Sequence, residues 1–515
     1  MSNISKVFSA ELDGIDAKLI EVETDINVGL HSFTIVGLAD KALSEAKERV
    51  NSALKNIGIK PPTKENRRIV VNLAPADIKK TGSQYDLAIA IGYLLATEQI
   101  KKFPTNNSIF VGELSLEGKL RPINGALSIA DLVRRAGFKN LFIPKENGAE
   151  AAMVEGVHVI PVNDLGELIA HLEERTLIEK QPKTQIKFDN EAPFVDISEI
   201  KGQEHAKRAL MIAASGGHNI LMQGPPGTGK TMLAQALTSI LPPPELEEVI
   251  ETTKIYSAAG LLGARPFINF RPFRSPHHSA SAPAVVGGGQ SPRPGEISLA
   301  HRGVLFLDEL PEFHRDVLES LRQPIESGIA FISRVKGNLA LPAKFTLVAS
   351  MNPCPCGYYG DKEKDCKCGA YEIIRYQKKI SGPLLDRIDI QIDVPRVKLE
   401  QLIDKRSADH RARIAIQTRV AEARKIQKER LKSASRGKGK FTNSELSSKE
   451  CDELIHLDKA GENFLKEVFD KSLISARGYY RILKVAQTIA DLEAAPVVTQ
   501  GHLAEAFSYR LREKE

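Results

Sequence analysis

An eight-residue loop constrains this chain more than any other feature. Gly224-Pro225-Pro226-Gly227-Thr228-Gly229-Lys230-Thr231 follows the apolar run Asn219-Ile220-Leu221-Met222 and precedes the helix-forming stretch Met232 to Leu241. It satisfies the phosphate-loop pattern G-x-x-x-x-G-K-[ST] in full, with the strand before and the helix after that the pattern requires. The glycines let backbone N–H groups close around phosphates at a helix N-terminus. Lys230 then neutralises β and γ oxygens, and Thr231 offers a hydroxyl to Mg²⁺. The ligands implied are ATP and Mg²⁺.

Hydrolysis needs more than a cradle. The apolar run Val304-Leu305-Phe306-Leu307 ends in Asp308-Glu309, about eighty residues after the phosphate loop. One carboxylate, Asp308, suits the metal shell, and the other, Glu309, suits orienting or deprotonating the attacking water. A third run, Phe345-Thr346-Leu347-Val348-Ala349, leads to Asn352, placed to polarise the water or the γ-phosphate. Arg387, in Gly382-Pro383-Leu384-Leu385-Asp386-Arg387-Ile388-Asp389, has the character of an arginine finger, and Arg477 that of a sensor of γ-phosphate loss. A surface salt bridge is the alternative reading for each arginine.

Buried β runs separated by helical stretches indicate a doubly wound parallel sheet with ligands at the strands' carboxyl ends. Residues 195–397 are therefore expected to form an ATPase core. Residues 398–515 read as helical, a lid ending in a helix over Thr499 to Arg512. Residues 1–172 alternate short β runs (Ile69-Val70-Val71-Asn72-Leu73, Ser108-Ile109-Phe110-Val111) with amphipathic stretches (Ala42 to Leu54, Ala126 to Ala136), which predicts a separate α+β domain. Polar, aperiodic residues 173–194 read as the linker. Phe331 to Lys344 reads as a hairpin, because Gly337-Asn338 breaks two short β runs.

The 515 residues, 42% hydrophobic and 26% charged, have globular composition. No signal-peptide core and no membrane-length apolar run can be drawn. Five cysteines, none before Cys354, form no disulfide framework, so a reducing cytoplasm is expected. A net charge of +6 decides nothing about partners. Residues 405–440 are strongly basic, from Lys405 and Arg406 to Lys438 and Lys440, a pattern open to nucleic-acid contact or a solvated helix face.

Taken together, Gly224 to Thr231, Gly303 to Leu310, Met351 to Gly357 and Ser381 to Asp389 resemble the magnesium-chelatase-like branch of AAA+ ATPases, within it the ComM/YifB family. The resemblance extends to Arg271 to Ser279, to Gly287-Gly288-Gly289-Gln290 and to Arg477 to Leu483, and covers nearly the whole chain. It implies a homo-hexameric ring in which Arg387 reaches the neighbour's ATP. It also implies a helicase that drives branch migration of recombination intermediates during natural transformation, acting on single-stranded, duplex or branched DNA beside recombination proteins. Residues 271–295 would be the helix-2 insert, with Arg271 and Arg274 on DNA. In related rings the 331–344 hairpin points into the channel, which would put Arg334 and Lys336 against phosphates, a salt-sensitive and sequence-independent contact. A solvated turn is the plainer alternative.

The amino-terminal domain resembles the proteolytic domain of Lon, of ribosomal S5 domain 2-like fold, in Gly118 to Gly125 and Arg134 to Lys139. Laid without gaps on that pattern, the catalytic lysine position falls on Leu127 and the serine position on Gln84, with Ser83 one residue off. Leucine accepts no proton, so a protease fold without peptidase activity is expected.

Cys354-Pro355-Cys356 and Cys366-Lys367-Cys368 form two C-x-C pairs separated by nine residues. Four thiolates suit tetrahedral Zn²⁺, although C-x-x-C is the commoner spacing and reduced structural cysteines remain the alternative. Cys451 reads as packing, and His277-His278 as DNA contact or loop chemistry rather than a metal site. Three functions share the ATPase: a DNA motor, a remodeller of a protein partner like that of magnesium chelatase, and an ATP-dependent protease, which the missing dyad disfavours. The Lon-like domain is taken to argue against the second.

Overall fold

The computed structural model describes residues 4–510, apart from 38–42, 44, 65, 79, 187–194, 290–292, 335–336, 399, 401–409, 434–439 and 471–474. The chain divides into two compact units. One comprises residues 1–187 with 249–268, and the other residues 188–248 with 269–515.

The first unit is built on a seven-stranded mixed sheet in the order Ser32–Val36, Arg67–Ala74, Asp16–Val28, Ile4–Asp13, Ser108–Phe110, Asn140–Pro144, His158–Val162. The long hairpin Ile4–Asp13/Asp16–Val28 is antiparallel, while Ser108–Phe110, Asn140–Pro144 and His158–Val162 run parallel to one another. Helix Asp86–Ala96 is buried along its whole length, and its one charge, Asp86, meets Arg49 at 2.6 Å.

A linear reading of composition missed one part of this unit. Residues 249–268, which follow the phosphate-loop helix in sequence, belong to it. Val249 is fully buried with Leu127 and Met153, and Ile250 and Phe267 pack beside them. Lys254 Nζ lies 2.8 Å from Asp131 Oδ2. Ser257 accepts the Gly125 N–H at 2.8 Å and donates to the buried carboxylate of Glu150, which burial pushes above its ordinary range. The helix Leu246–Ala259 therefore closes a core begun more than a hundred residues earlier.

The second unit carries a five-stranded, all-parallel sheet in the order Phe273–Arg274, Val304–Leu307, Thr346–Met351, Ile220–Gln223, Ile390–Asp393. Buried on both faces, its strands read as continuous apolar runs, which is why three of them were legible in the sequence. Helices Glu204–Gly216, Lys230–Ile240, His410–Ser433, Ala476–Leu492 and Gln500–Ser508 share one apolar core with the sheet. Cys451 is part of that core. A hairpin pairs Ile329–Arg334 with Gly337–Pro342, with Arg334 opposite Gly337. Within 271–295, Phe273–Arg274 joins the sheet edge, and Gly287–Gly288 pairs with Arg293–Pro294.

Placing a carboxylate at position 249 tests the composite core. Val249→Asp is expected to cost about 3 kcal/mol or more, because the charge would be buried without a partner. Hydrogen exchange should then accelerate in Ala126–Arg135 and Gly148–Ala151, not only in the helix that carries the substitution.

Candidate nucleotide site

The phosphate loop leaves the sheet where strand order reverses. Strand Ile220–Gln223 lies between Thr346–Met351 and Ile390–Asp393, and the switch point of a parallel sheet is where a crevice opens for ligand. Gly227 and Gly229 adopt φ of +78° and +85°, values that favour glycine. Helix Lys230–Ile240 begins directly after them, so its free N–H groups face the loop.

Lys230 Nζ donates to the carbonyls of Gly224 (2.7 Å) and Pro225 (2.9 Å) and to Asn352 Oδ1 (3.3 Å). Burial pulls its pKa below the ordinary lysine value, and the charges of Asp308 and Glu309 oppose that shift. Thr231 Oγ1 lies 3.1 Å from Asp308 Oδ2. A hydroxyl and a carboxylate oxygen brought together at a helix N-terminus fit the hard, oxygen-preferring Mg²⁺. The structure thus brings Lys230, Thr231, Asp308 and Asn352 into one cluster, with Glu309 next in the chain.

Two residues that the sequence reading did not assign complete it. Ser350 donates to Asp308 Oδ1 and accepts the Glu309 N–H at 3.3 Å, tying both acidic residues to the neighbouring strand. Its signal was present: a polar residue at the end of an apolar strand, two positions before Asn352, must find a partner. His278 Nδ1 lies 3.7 Å from Glu309 Oε2, so the second histidine of the pair sits at the nucleotide site. Glu309 itself adopts φ +52°, a conformation that costs a non-glycine residue free energy and is held here by its surroundings.

The two arginines lie elsewhere. Ile390 pairs with Ile220, so Arg387 stands at the amino end of its strand and Gly224 at the carboxyl end of the next, a strand length of about 13 Å apart. Asn219 Nδ2 donates to the Arg387 carbonyl at 3.2 Å, which fixes that placement. Arg387 donates to Glu326 Oε2 at 2.5 Å and to the Pro383 carbonyl at 2.7 Å. Its hydrogen bond, aided by the charges of Arg477 and Arg481, holds Glu326 below the ordinary carboxylate range. Arg477, Arg481, Lys484 and Glu326 line a cavity of about 740 Å³ at this amino edge. Neither arginine faces the phosphate loop of its own chain.

The basic residues expected on DNA divide into two groups. Arg271 Nη2 lies 2.8 Å from Glu248 Oε2, with side-chain exposures of only 8% and 4%, and Arg271 also donates to the Pro242 and Arg302 carbonyls. Arg274 makes a bidentate pair with Glu296 at 2.6 and 2.8 Å. Arg271 is thus held inside the unit, whereas Arg274 is paired with Glu296 and part-exposed. The Arg334 side chain and Lys336 lie outside the described residues.

Much of the basic run is likewise internal. Arg413 pairs with buried Asp196 (3.0 Å), Lys428 with Glu245 and Arg430 with Asp491, and Arg424 donates to the Ala214 carbonyl at 2.7 Å. In the first unit, Leu127 is fully buried and only its N–H meets Glu150, while Ser83 donates to Glu113. A proton acceptor of lysine type is absent from position 127. The four cysteines of the paired motifs converge, every Sγ within 4.8 Å of the others. Among the described residues, no helix is long and apolar enough to cross a membrane.

A phosphate loop at the switch point of a parallel sheet, backed by a threonine–aspartate pair and an asparagine on the next strand, defines a P-loop nucleotide-binding protein. Family models described as "Magnesium chelatase, subunit ChlI", "Subunit ChlI of Mg-chelatase" and "Magnesium chelatase, subunit ChlI C-terminal" match residues 196–402, 22–147 and 411–510. Competence protein ComM of Haemophilus influenzae is 43% identical over 99% of this chain and 97% of its own. The Escherichia coli protein YifB is 40% identical over 99% of this chain and 97% of its own. A Lon protease of Rhizobium meliloti is 27% identical over 30% of this chain and 20% of its own length. The chain belongs to the ComM/YifB family of magnesium-chelatase-like AAA+ proteins. Because a chelatase-subunit model also matches residues 22–147, the amino-terminal unit does not by itself separate a DNA motor from a chelatase-like remodeller.

Acid should expose the role of Arg271. Glu248 is held at about 2 against an ordinary 4.5: burial would raise it, but the charge and hydrogen bond of Arg271 lower it further. A depressed carboxylate stabilises the fold above its unfolded pKa, and that share, about 3 kcal/mol, is lost as pH falls from roughly 4.5 towards 2. Arg271→Ala should cost about 3–5 kcal/mol at neutral pH and flatten this acid limb in denaturant titrations.

Proposed function

We propose that this protein is a cytoplasmic, ATP-driven DNA motor that assembles as a homo-hexameric ring and promotes branch migration of recombination intermediates during natural transformation. The observation that carries the reading is the end-to-end identity with a protein named for competence. Recombination proteins are its natural partners.

The phosphate-loop N–H groups and Lys230 hold the phosphates in line. Thr231 and Asp308 would hold Mg²⁺, which would supply charge neutralisation for the transferred phosphoryl group. Glu309 accepts the proton of the attacking water as the water oxygen bonds to the γ-phosphorus and the bond from that phosphorus to the β–γ bridging oxygen breaks, releasing ADP and phosphate, while Asn352 polarises the same centre. Ser350 keeps both acidic residues in register. Arg387 and Arg477 act on the neighbouring subunit's nucleotide, a reading supported by their place at the far edge of the sheet. A Zn²⁺ ion in the four-cysteine loop serves a structural role. Arg334 and Lys336 of the hairpin meet DNA phosphates. The amino-terminal unit is read as a Lon-like fold without peptidase activity, used for assembly or DNA contact.

A second reading, ATP-driven remodelling of a protein partner, is favoured by the chelatase-subunit description of all three matching models. One preparation separates the two. ATP hydrolysis is measured with single-stranded, duplex and branched DNA at two salt concentrations while branch migration is followed. The motor reading expects salt-sensitive stimulation and ATP-dependent migration, with Arg334→Ala or Lys336→Ala losing the stimulation at unchanged basal rate. Hydrolysis indifferent to every DNA gives the remodeller the lead. Lys230→Ala should abolish nucleotide binding, whereas Glu309→Gln should bind ATP and turn over about a hundredfold or more slower.

A further inference from the structure

The loop between Asn352 and helix Ala370–Gln377 touches the nucleotide site in two places while folding around four thiols. Sγ of Cys354 lies 3.4 Å from that of Cys356 and 3.6 Å from that of Cys366, and Cys356 and Cys366 are 3.6 Å apart. These separations are far from the 2.05 Å or so of a disulfide. A tetrahedron of thiolates around zinc, with Zn–S of about 2.3 Å, has edges of about 3.8 Å. Two backbone amides already donate to the sulfurs, Tyr359 N–H to Cys354 (3.3 Å) and Cys356 N–H to Cys368 (3.4 Å). Amides so placed fix the direction in which the two sulfurs point.

The same loop carries catalytic geometry. Asn352 stands two residues before Cys354 and accepts from Lys230. Gly357, at φ +84°, lies so close to the phosphate loop that a Cβ there would sit 2.7 Å from Pro226 Cδ and 3.8 Å from Asn352 Cγ. Gln377 Nε2 donates to the Pro353 carbonyl at 3.0 Å, closing the loop from its far end. The polar chain of residues 353–369, with only a few buried side chains, cannot fix these contacts by packing alone.

We propose that Cys354, Cys356, Cys366 and Cys368 bind one Zn²⁺, and that this ion sets nucleotide turnover by clamping the loop that holds Asn352 at Lys230 and Gly357 against Pro226. The proposal rests on the structural zinc and the ATPase assigned above, and goes beyond them in joining the two. The clamp is a positioning device that acts through Asn352 and Gly357.

The test uses the full-length protein purified under reducing conditions. Metal analysis should find one zinc per chain, released by a mercurial thiol reagent. Cys366→Ser and Cys368→Ser, the ligands farthest in sequence from the phosphate loop, should lose it. Removing one ligand should also accelerate hydrogen exchange in 352–358 and in 224–231, lowering kcat about tenfold while the affinity for a fluorescent ATP analogue changes less than threefold. Gly357→Ala should keep the zinc yet lower kcat, a result that separates the clamp from loss of folding. Zinc-free wild-type protein would overturn the site. Zinc-depleted variants with parental exchange in 224–231 would overturn the coupling and leave the site standing. Because exchange and metal content are read without turnover, a wild type that hydrolyses no ATP would count against the proposed function and not against the clamp.

Discussion

Position 224 admits no side chain. A Cβ there would lie 2.2 Å from the Val394 carbonyl, while the Gly224 N–H donates to the Met351 carbonyl at 3.2 Å. The phosphate loop therefore leaves the sheet wedged between the ends of its two neighbouring strands. That contact fixes where the loop starts, and with it the helix Lys230–Ile240 whose N-terminus faces the phosphates. Asp308, Glu309 and Asn352 enter the site from strands held in register with that same wedge. Sheet, phosphate loop and the Asp308-Glu309 carboxylates are thereby held in one fixed arrangement.

How much of this the sequence disclosed depended on the range of the interaction. The phosphate loop, the Asp308-Glu309 pair and the buried strands are local patterns, and each is legible because its physical cause lies within a few residues. The Arg271–Glu248 pair is not local: its partners lie on opposite sides of residues 249–268, which belong to the other unit. An arginine read without its partner resembles a nucleic-acid contact, and so does a run of arginines on a helix. Arg413, Arg424 and Arg430 find acids or carbonyls on elements distant in sequence, so net charge along the chain overstated the basic surface. Ser350 and His278 escaped for the same reason, since their importance rests on what stands across from them. The four cysteines were legible as a set, but their convergence was not.

The electrostatics of the second unit divide along the sheet. At the carboxyl edge, opposite charges gather at the phosphate loop: Lys230 is partly desolvated and feels the charges of Asp308 and Glu309, and Glu309 Oε2 lies 3.7 Å from His278 Nδ1. At the amino edge, cations are tied down. Although burial alone would push Asp389 up, the charge of Arg481 and the His218 hydrogen bond hold it well below the ordinary range. Arg387 is held by Glu326 in the same region. An arginine held by an exposed glutamate exchanges that partner for a phosphate at modest cost, because surface ion pairs are weak and phosphate pairs are stronger.

The path of the chain through its two units bears on how it is made. The first unit needs residues 249–268 to bury Leu127 and Met153 and to satisfy Glu150. A ribosome delivers residues 1–187 well before that segment, and amino-terminal domains ordinarily fold as soon as they emerge. Here the first part to emerge must wait, with an apolar face uncovered, until the phosphate loop and its helix have been synthesised. The order of synthesis and the order of folding are thereby interleaved, and neither unit can be produced alone by cutting the chain at one point.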